Sequence, residues 1–161
     1  MAFMRVLCFV LLVGLAAACQ PQCPKCPPMW TFYIGNCYRY FGTAKTFAEA
    51  EKHCKEFTEV GQGHLASITS AEEDNLLYTM WMSVRGTTGS GLWIGFTDEA
   101  EEGNFIWTDR SAVSYTGWRS GEPNNVGKEH CTNMPNGWDG EWNDTKCGHA
   151  HAYMCKMTTA K

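Results

Sequence analysis

Apolar residues along the chain change their period from one segment to the next. From Trp30 to Phe41 aromatics are dense, with Trp30, Phe32, Tyr33, Tyr38, Tyr40 and Phe41, which predicts paired strands. Thr46 with Glu49 three residues on predicts a capped helix start. Phe47, Ala50, Cys54 and Phe57 then fall on one helical face. Ser70 and Glu73 repeat the start signal, and Leu76, Leu77, Met80 and Trp81 supply the apolar side of a second helix. After Gly91 the pattern becomes strand-like, in Leu92 to Phe96 and in Phe105 to Thr108, and His151 to Lys156 reads as a closing strand. From Trp118 to Asp144 the chain is long, polar and rich in Gly, Asn and Pro. A stretch of that size inside a compact domain needs a ligand or a covalent staple to order it. No internal repeat or low-complexity tract is present.

The polar stretch carries the candidate chemistry. Glu122, Glu129 and Asp144 offer carboxylates, and Asn124 and Asn143 offer amide carbonyls. Calcium takes roughly six to eight oxygen ligands of these types. A calcium ion with partly open coordination, ringed by Glu and Asn side chains, satisfies adjacent sugar hydroxyls, each of which is both donor and acceptor. The expected cofactor is therefore Ca2+ and the expected partner a glycan.

Charge and the chain ends narrow the field. Acidic residues outnumber basic ones by 17 to 13. No Lys/Arg cluster occurs, which argues against a nucleic-acid partner. Residues 1–18 read as a secretory signal, with Arg5, an apolar run from Val6 to Leu15 and a small-residue cleavage site at Ala16-Ala17-Ala18. That run is too short to span a bilayer, and nothing like it recurs, so the mature chain is expected to be secreted, extracellular and without a membrane span. Of the nine cysteines, Cys8 leaves with the signal. Cleavage after Ala18 leaves an even set that reads as a disulfide framework. Zinc is the rival reading for Cys23-Pro24-Lys25-Cys26, disfavoured by the oxidising compartment and by the lack of a second closely spaced pair.

Taken in order, the motifs resemble a C-type lectin domain running from Cys26 to Lys156. They are the Cys26 and Cys37 pair, the helix carrying Cys54, Gly63-His64-Leu65-Ala66-Ser67-Ile68, Trp93-Ile94-Gly95-Phe96, Glu122-Pro123-Asn124, Trp142-Asn143-Asp144 and the last three cysteines. The resemblance is to small secreted invertebrate lectins. It implies an α+β fold in which two helices flank small antiparallel sheets, with a long calcium-ordered loop and disulfide staples. The expected organisation is a signal at 1–18, a Cys/Pro arm at 19–25, the lectin domain at 26–156 and a tail at 157–161. The implied bonds are Cys26–Cys37, Cys54–Cys155 and Cys131–Cys147. Cys19 and Cys23 then remain as candidates for an interchain bond and a disulfide-linked homo-oligomer, with a Cys19–Cys23 bond as the alternative.

The resemblance also assigns roles. Glu122, Asn124, Glu129, Asn143 and Asp144 match the principal calcium ligands, and all but Asp144 also match the sugar contacts. The Glu122–Pro123 bond is expected to be cis. Asp98, Glu102, Asn125 and Glu129 match an auxiliary calcium site, with Asn125 and His130 standing where acids are common. Glu-Pro-Asn implies mannose, N-acetylglucosamine or fucose-type glycans, in a role such as recognition of microbial surfaces. The alternatives are galactose-type binding through a stacked aromatic, for which Trp118 and Trp138 are near enough in sequence, and a structural or protein-binding relative without sugar. No enzyme is expected, since no nucleophile is accompanied by a base. Among the histidines, His149 and His151 read as sharing a strand face and His53 as helical, without a catalytic motif.

Overall fold

The computed structural model describes residues 26–85 and 90–159. The signal, the arm with Cys19 and Cys23, and the last two residues of the tail lie outside the described residues. Chain order is β1 (Thr31–Tyr33), β2 (Asn36–Lys45), α1 (Phe47–Cys54), β3 (Gly63–Leu65), α2 (Ala71–Val84), β4 (Leu92–Thr97), β5 (Ile106–Trp107), β6 (Cys131–Met134), β7 (Asn143–Thr145) and β8 (His151–Thr158).

Both helices begin where the sequence signals them. Thr46 caps α1 in a full capping box with Glu49, and Phe47, Ala50 and Cys54 are its buried apolar residues. Phe57 lies past the end of α1 and stacks on Phe41 at 5.5 Å. Ser70 caps α2 by accepting from the Glu73 N–H at 3.2 Å. The Glu73 side chain does not close the box. It turns inward, where Leu77 and Trp81 are also buried.

The strands join in one sheet of order β1-β2-β8-β4-β6-β7, with β3 added to β8 and β5 to β4. β8 is the axis. β2 pairs antiparallel with it from Asn36↔Thr158 to Lys45↔His151. On its other edge β3 takes Cys155 to Met157, and β4 takes Ala152 and Tyr153 in parallel. The expectation of small antiparallel sheets is thus modified by the parallel β4–β8 pairing. β8 also runs past the expected domain end at Lys156, and Met157 is fully buried. Gly95 sits where β4 crosses β3. A Cβ there would lie 2.6 Å from the Leu65 carbonyl oxygen, which explains glycine within Trp93-Ile94-Gly95-Phe96.

Three disulfides join Cys26–Cys37, Cys54–Cys155 and Cys131–Cys147, the pairings that the resemblance implies. The second spans 101 residues and ties α1 to the axial strand. In the chain-entropy model a loop of that length contributes about 4.7 kcal/mol. The core holds Trp81, Trp93, Trp107 and Trp142, all fully buried.

Candidate calcium and sugar site

The polar stretch after Trp118 contains two strands and is closed at its base. The Trp142 N–H donates to Gly117 O at 2.8 Å, and the Arg119 N–H donates to Trp142 O at 3.1 Å. The indole N–H of Trp142 donates to Asp74 Oδ1 on α2 at 2.9 Å, and the Tyr115 hydroxyl donates to Asp74 Oδ2 at 3.0 Å. Burial pushes the Asp74 carboxyl up, against the pull of these two donors. One buried carboxylate thereby anchors both ends of the loop to the second helix.

Within the loop, β6 and β7 form a hairpin with Thr132 opposite Asp144 and Asn133 opposite Asn143. The Cys131–Cys147 bond staples it from outside, at a separation of 16 residues. These strands escape periodicity because each is only three or four residues long and polar, Cys131–Met134 and Asn143–Thr145.

The hairpin carries Asn143 and Asp144 up to the Glu122–Asn124 turn. The Glu122–Pro123 bond is cis. Asp144 is fully buried. Its Oδ1 accepts the Asn124 N–H at 3.0 Å and its Oδ2 the Asn125 N–H at 2.7 Å. Asn124 Oδ1 accepts the Val126 N–H at 2.9 Å. Asn143 donates through Nδ2 to Asn133 Oδ1 at 3.3 Å, which sets its amide orientation. Asn133 is a positioning residue that sequence reasoning did not single out. The signal available was the implied Cys131–Cys147 bond, which brackets a hairpin and puts the two asparagines opposite each other.

The electrostatics suit a bound cation. Glu122 Oε2 is buried and has no hydrogen-bond partner among the described residues. An anionic oxygen in that state is costly unless something positive meets it. Burial pushes the Glu122 carboxyl up, and the neighbouring Asp144 and Glu129 carboxylates push it further. Glu129 is raised by burial and by Asp144, against Lys146 and His149. Two raised glutamates and the buried Asp144 carboxylate, beside two amide carbonyls, form a donor set of the kind that suits a hard divalent ion.

The aromatic candidates for sugar stacking are otherwise engaged. Trp118 packs on Phe105 at 5.0 Å, on Trp142 at 5.8 Å and on Phe96 at 5.9 Å, as part of the loop-base core. Trp138 lies under the Arg119 guanidinium at 4.2 Å. The apolar side chain that projects beside Asn124 is Val126, 68% exposed.

The histidines hold structural places. His53 on α1 meets the Tyr153 hydroxyl at 2.8 Å. His151 packs on Trp93 at 4.6 Å, and burial lowers its imidazole to about 4. His149 stands in the turn before β8 rather than on the strand, and contacts Thr145 Oγ1 at 3.0 Å.

The family model for the lectin C-type domain matches residues 43–157, a span that holds the whole loop and its hairpin. The chain belongs to the C-type lectin family. It is a carbohydrate-binding lectin of a non-enzymatic family. It is 67% identical to an alpha-N-acetylgalactosamine-specific lectin of Patiria pectinifera, over 99% of both chains. It is 38% identical to echinoidin of Heliocidaris crassispina, over 82% of this chain and 96% of that one. Among solved structures, the C-type lectin CEL-I from Cucumaria echinata matches with a TM-score of 0.79 and 34% identity, over 84% of this chain and 99% of that one.

Asn143-Asp144-Thr145 is also a glycosylation sequon. In this lectin Asn143 Nδ2, the atom a glycan would occupy, already donates to Asn133, and Thr145 is buried at 6% exposure. Asn143 is expected to be unmodified in the native protein. Intact mass after secretion checks this, and full occupancy would remove Asn143 from the site.

Proposed function

We propose that the lectin binds galactose-type sugars, of the N-acetylgalactosamine class, through a calcium ion held by Glu122, Asn124, Glu129, Asn143 and Asp144. The observation that carries the calcium reading is the buried, unpartnered Glu122 Oε2, with the Asp144 and Glu129 carboxylates near enough to raise its carboxyl. When bound, the ion would supply open coordination positions for two neighbouring sugar hydroxyls. Around it Glu122 and Glu129 accept hydrogen bonds from those hydroxyls, Asn124 and Asn143 donate, and Asp144 holds the turn in place. The sugar class rests on the 67% identical relative, described as specific for alpha-N-acetylgalactosamine. The mannose-group expectation drawn from Glu-Pro-Asn gives way to it as the leading reading. Val126 is the apolar surface that the sugar's apolar face meets in place of an aromatic ring.

The test is retention of calcium-loaded protein on immobilised N-acetylgalactosamine and on immobilised mannose, followed by elution with a chelator. Retention on the first support with release by chelator is expected. Retention on mannose alone would return the specificity to the Glu122/Asn124 motif, and binding to neither would overturn the reading. Val126→Ser is expected to weaken N-acetylgalactosamine binding by about tenfold or more, the loss of roughly one apolar contact. Calcium affinity measured on the same variant should stay within twofold or so, because Val126 supplies only a backbone N–H to the site.

The three disulfides support an oxidising, extracellular setting, and among the described residues no helix is long and apolar enough to cross a membrane. Cys19 and Cys23 are proposed to link chains covalently, because weak single sites gain strongly from being joined. A band of twice the monomer mass on a non-reducing gel, collapsing on reduction, is expected. Monomer bands in both lanes would leave the alternative Cys19–Cys23 bond.

A further inference from the structure

Three side chains that the proposed sugar site does not use converge beside it. Asp98 follows β4 and is 2% exposed, Glu102 stands on the next turn, and His130 directly precedes β6. His130 Nδ1 lies 3.0 Å from Asp98 Oδ1 and 3.5 Å from Glu102 Oε2. The ligand atoms of all three lie within 4.8 Å of one another.

The resemblance implied calcium here, but the donors have changed. Asn125 turns its Nδ2 onto Glu102 Oε1 at 2.6 Å, and its carbonyl oxygen accepts the Glu129 N–H at 2.8 Å. Its amide therefore braces the loop rather than facing the cluster with a free oxygen. In place of a further carboxylate the cluster presents an imidazole nitrogen. Imidazole is a poor donor for a hard ion such as calcium and a good one for zinc and its neighbours.

The spacing agrees with that change of metal. Zinc binds nitrogen at about 2.0–2.1 Å and carboxylate oxygen at about 2.0–2.2 Å, in tetrahedral geometry. Those bonds place neighbouring ligand atoms about 3.3–3.5 Å apart by simple trigonometry. The two separations from His130 Nδ1, 3.0 and 3.5 Å, bracket that span. The far oxygens are already anchored. Asp98 Oδ2 accepts the Gly103 N–H at 2.8 Å, and Glu102 Oε1 accepts from Asn125. Such outer contacts orient metal-binding carboxylates. Three protein donors leave the fourth position to water.

We propose that Asp98, Glu102 and His130 bind one zinc-class divalent ion. The ion clamps the turn from Asp98 to Gly103 against the segment from Asn125 to His130, directly behind Glu129. Its measurement needs no sugar, so it stands or falls separately from the lectin reading.

The test is isothermal titration of zinc into metal-stripped full-length protein held in millimolar calcium. Binding of one zinc per chain is expected, weakened at least tenfold in His130→Ala and in Glu102→Gln. Cobalt(II) in place of zinc should give visible bands without the thiolate charge transfer that ligation by Cys19 or Cys23 would produce. Both variants should keep the native near-ultraviolet dichroism in calcium. No zinc uptake, uptake unchanged in both variants, a thiolate spectrum, or zinc displaced by millimolar calcium would each overturn the proposal.

Discussion

Asp144→Asn is expected to abolish calcium-dependent sugar retention while the domain stays folded. Both oxygens of the buried Asp144 carboxylate accept backbone N–H groups, from Asn124 at 3.0 Å and Asn125 at 2.7 Å. An amide in its place removes a negative charge and turns an NH2 group toward one of those donors. A hydrogen bond to a charged group is worth about 1.5–3 kcal/mol. Loss of that and of the ion's charge partner lowers calcium affinity by about a hundredfold or more. Calcium titration of the variant checks this, and an affinity within threefold or so of wild type would move the site elsewhere. The same site predicts a pH dependence. Glu122 and Glu129 sit above their ordinary value of 4.5. Their repulsion from neighbouring carboxylates, Asp144 above all, is absent in acid and grows as pH rises through the raised values. Calcium relieves it, and protons compete with calcium for the same oxygens. Sugar retention at fixed calcium should therefore fade as pH drops, and more calcium should move the midpoint to lower pH.

Lys156→Ala is expected to destabilise the fold strongly. Lys156 is 6% exposed and Glu73 is 4% exposed. The ammonium donates to Glu73 Oε1 at 2.7 Å, to Ser67 Oγ at 3.0 Å and to Ser67 O at 3.1 Å. Glu73 also accepts from the Tyr38 hydroxyl and, through Oε2, from Thr69 N–H and Oγ1, each at 2.7 Å. Removing the lysine leaves a buried carboxylate with neutral partners only, at a cost of about 3–5 kcal/mol. For a domain of this size that lowers Tm by roughly 10 °C. Removing both charges, as Glu73→Gln with Lys156→Met, should recover much of the loss. Burial raises the Glu73 carboxyl, but Lys156 and Tyr38 outweigh it and hold it below the usual value. The pair's contribution is accordingly present above the carboxylate's unfolded pKa and lost as pH falls through its lower folded one. Denaturant melts of the disulfide-intact variants measure it, and a loss below about 1 kcal/mol would show that Glu73 finds another partner or a proton.

Much of the fold was legible because its signals are local or ordered along the chain. Thr46 with Glu49 and Ser70 with Glu73 mark helix starts within one turn. The cysteines, Trp93-Ile94-Gly95-Phe96 and Trp142-Asn143-Asp144 follow one another in the order of the family. The sugar class was less legible, since Glu-Pro-Asn pointed to mannose while the 67% identical relative is described as galactosamine-specific. A short motif carries the hydroxyl contacts and says nothing of the apolar surface beside them.

What remained hidden depended on partners distant in sequence. The hairpin strand Asn143–Thr145 is polar and three residues long, and it becomes a strand only when Cys131–Met134 lies beside it. Glu73 completes the pattern of a second capping box, yet its carboxylate is drawn inward by Lys156, 83 residues away. Trp118, a candidate sugar platform from its place in the chain, is spent on the loop base against Phe105 and Trp142. His130 reads as a departure from an acidic pattern and acquires a chemistry only when Asp98, 32 residues back, is brought to 3.0 Å. Capping, periodicity and cysteine inventory are properties of neighbouring residues, so the chain states them directly. Pairing, burial of charge and donor geometry belong to contacts between segments, which exist only once the chain has closed on itself.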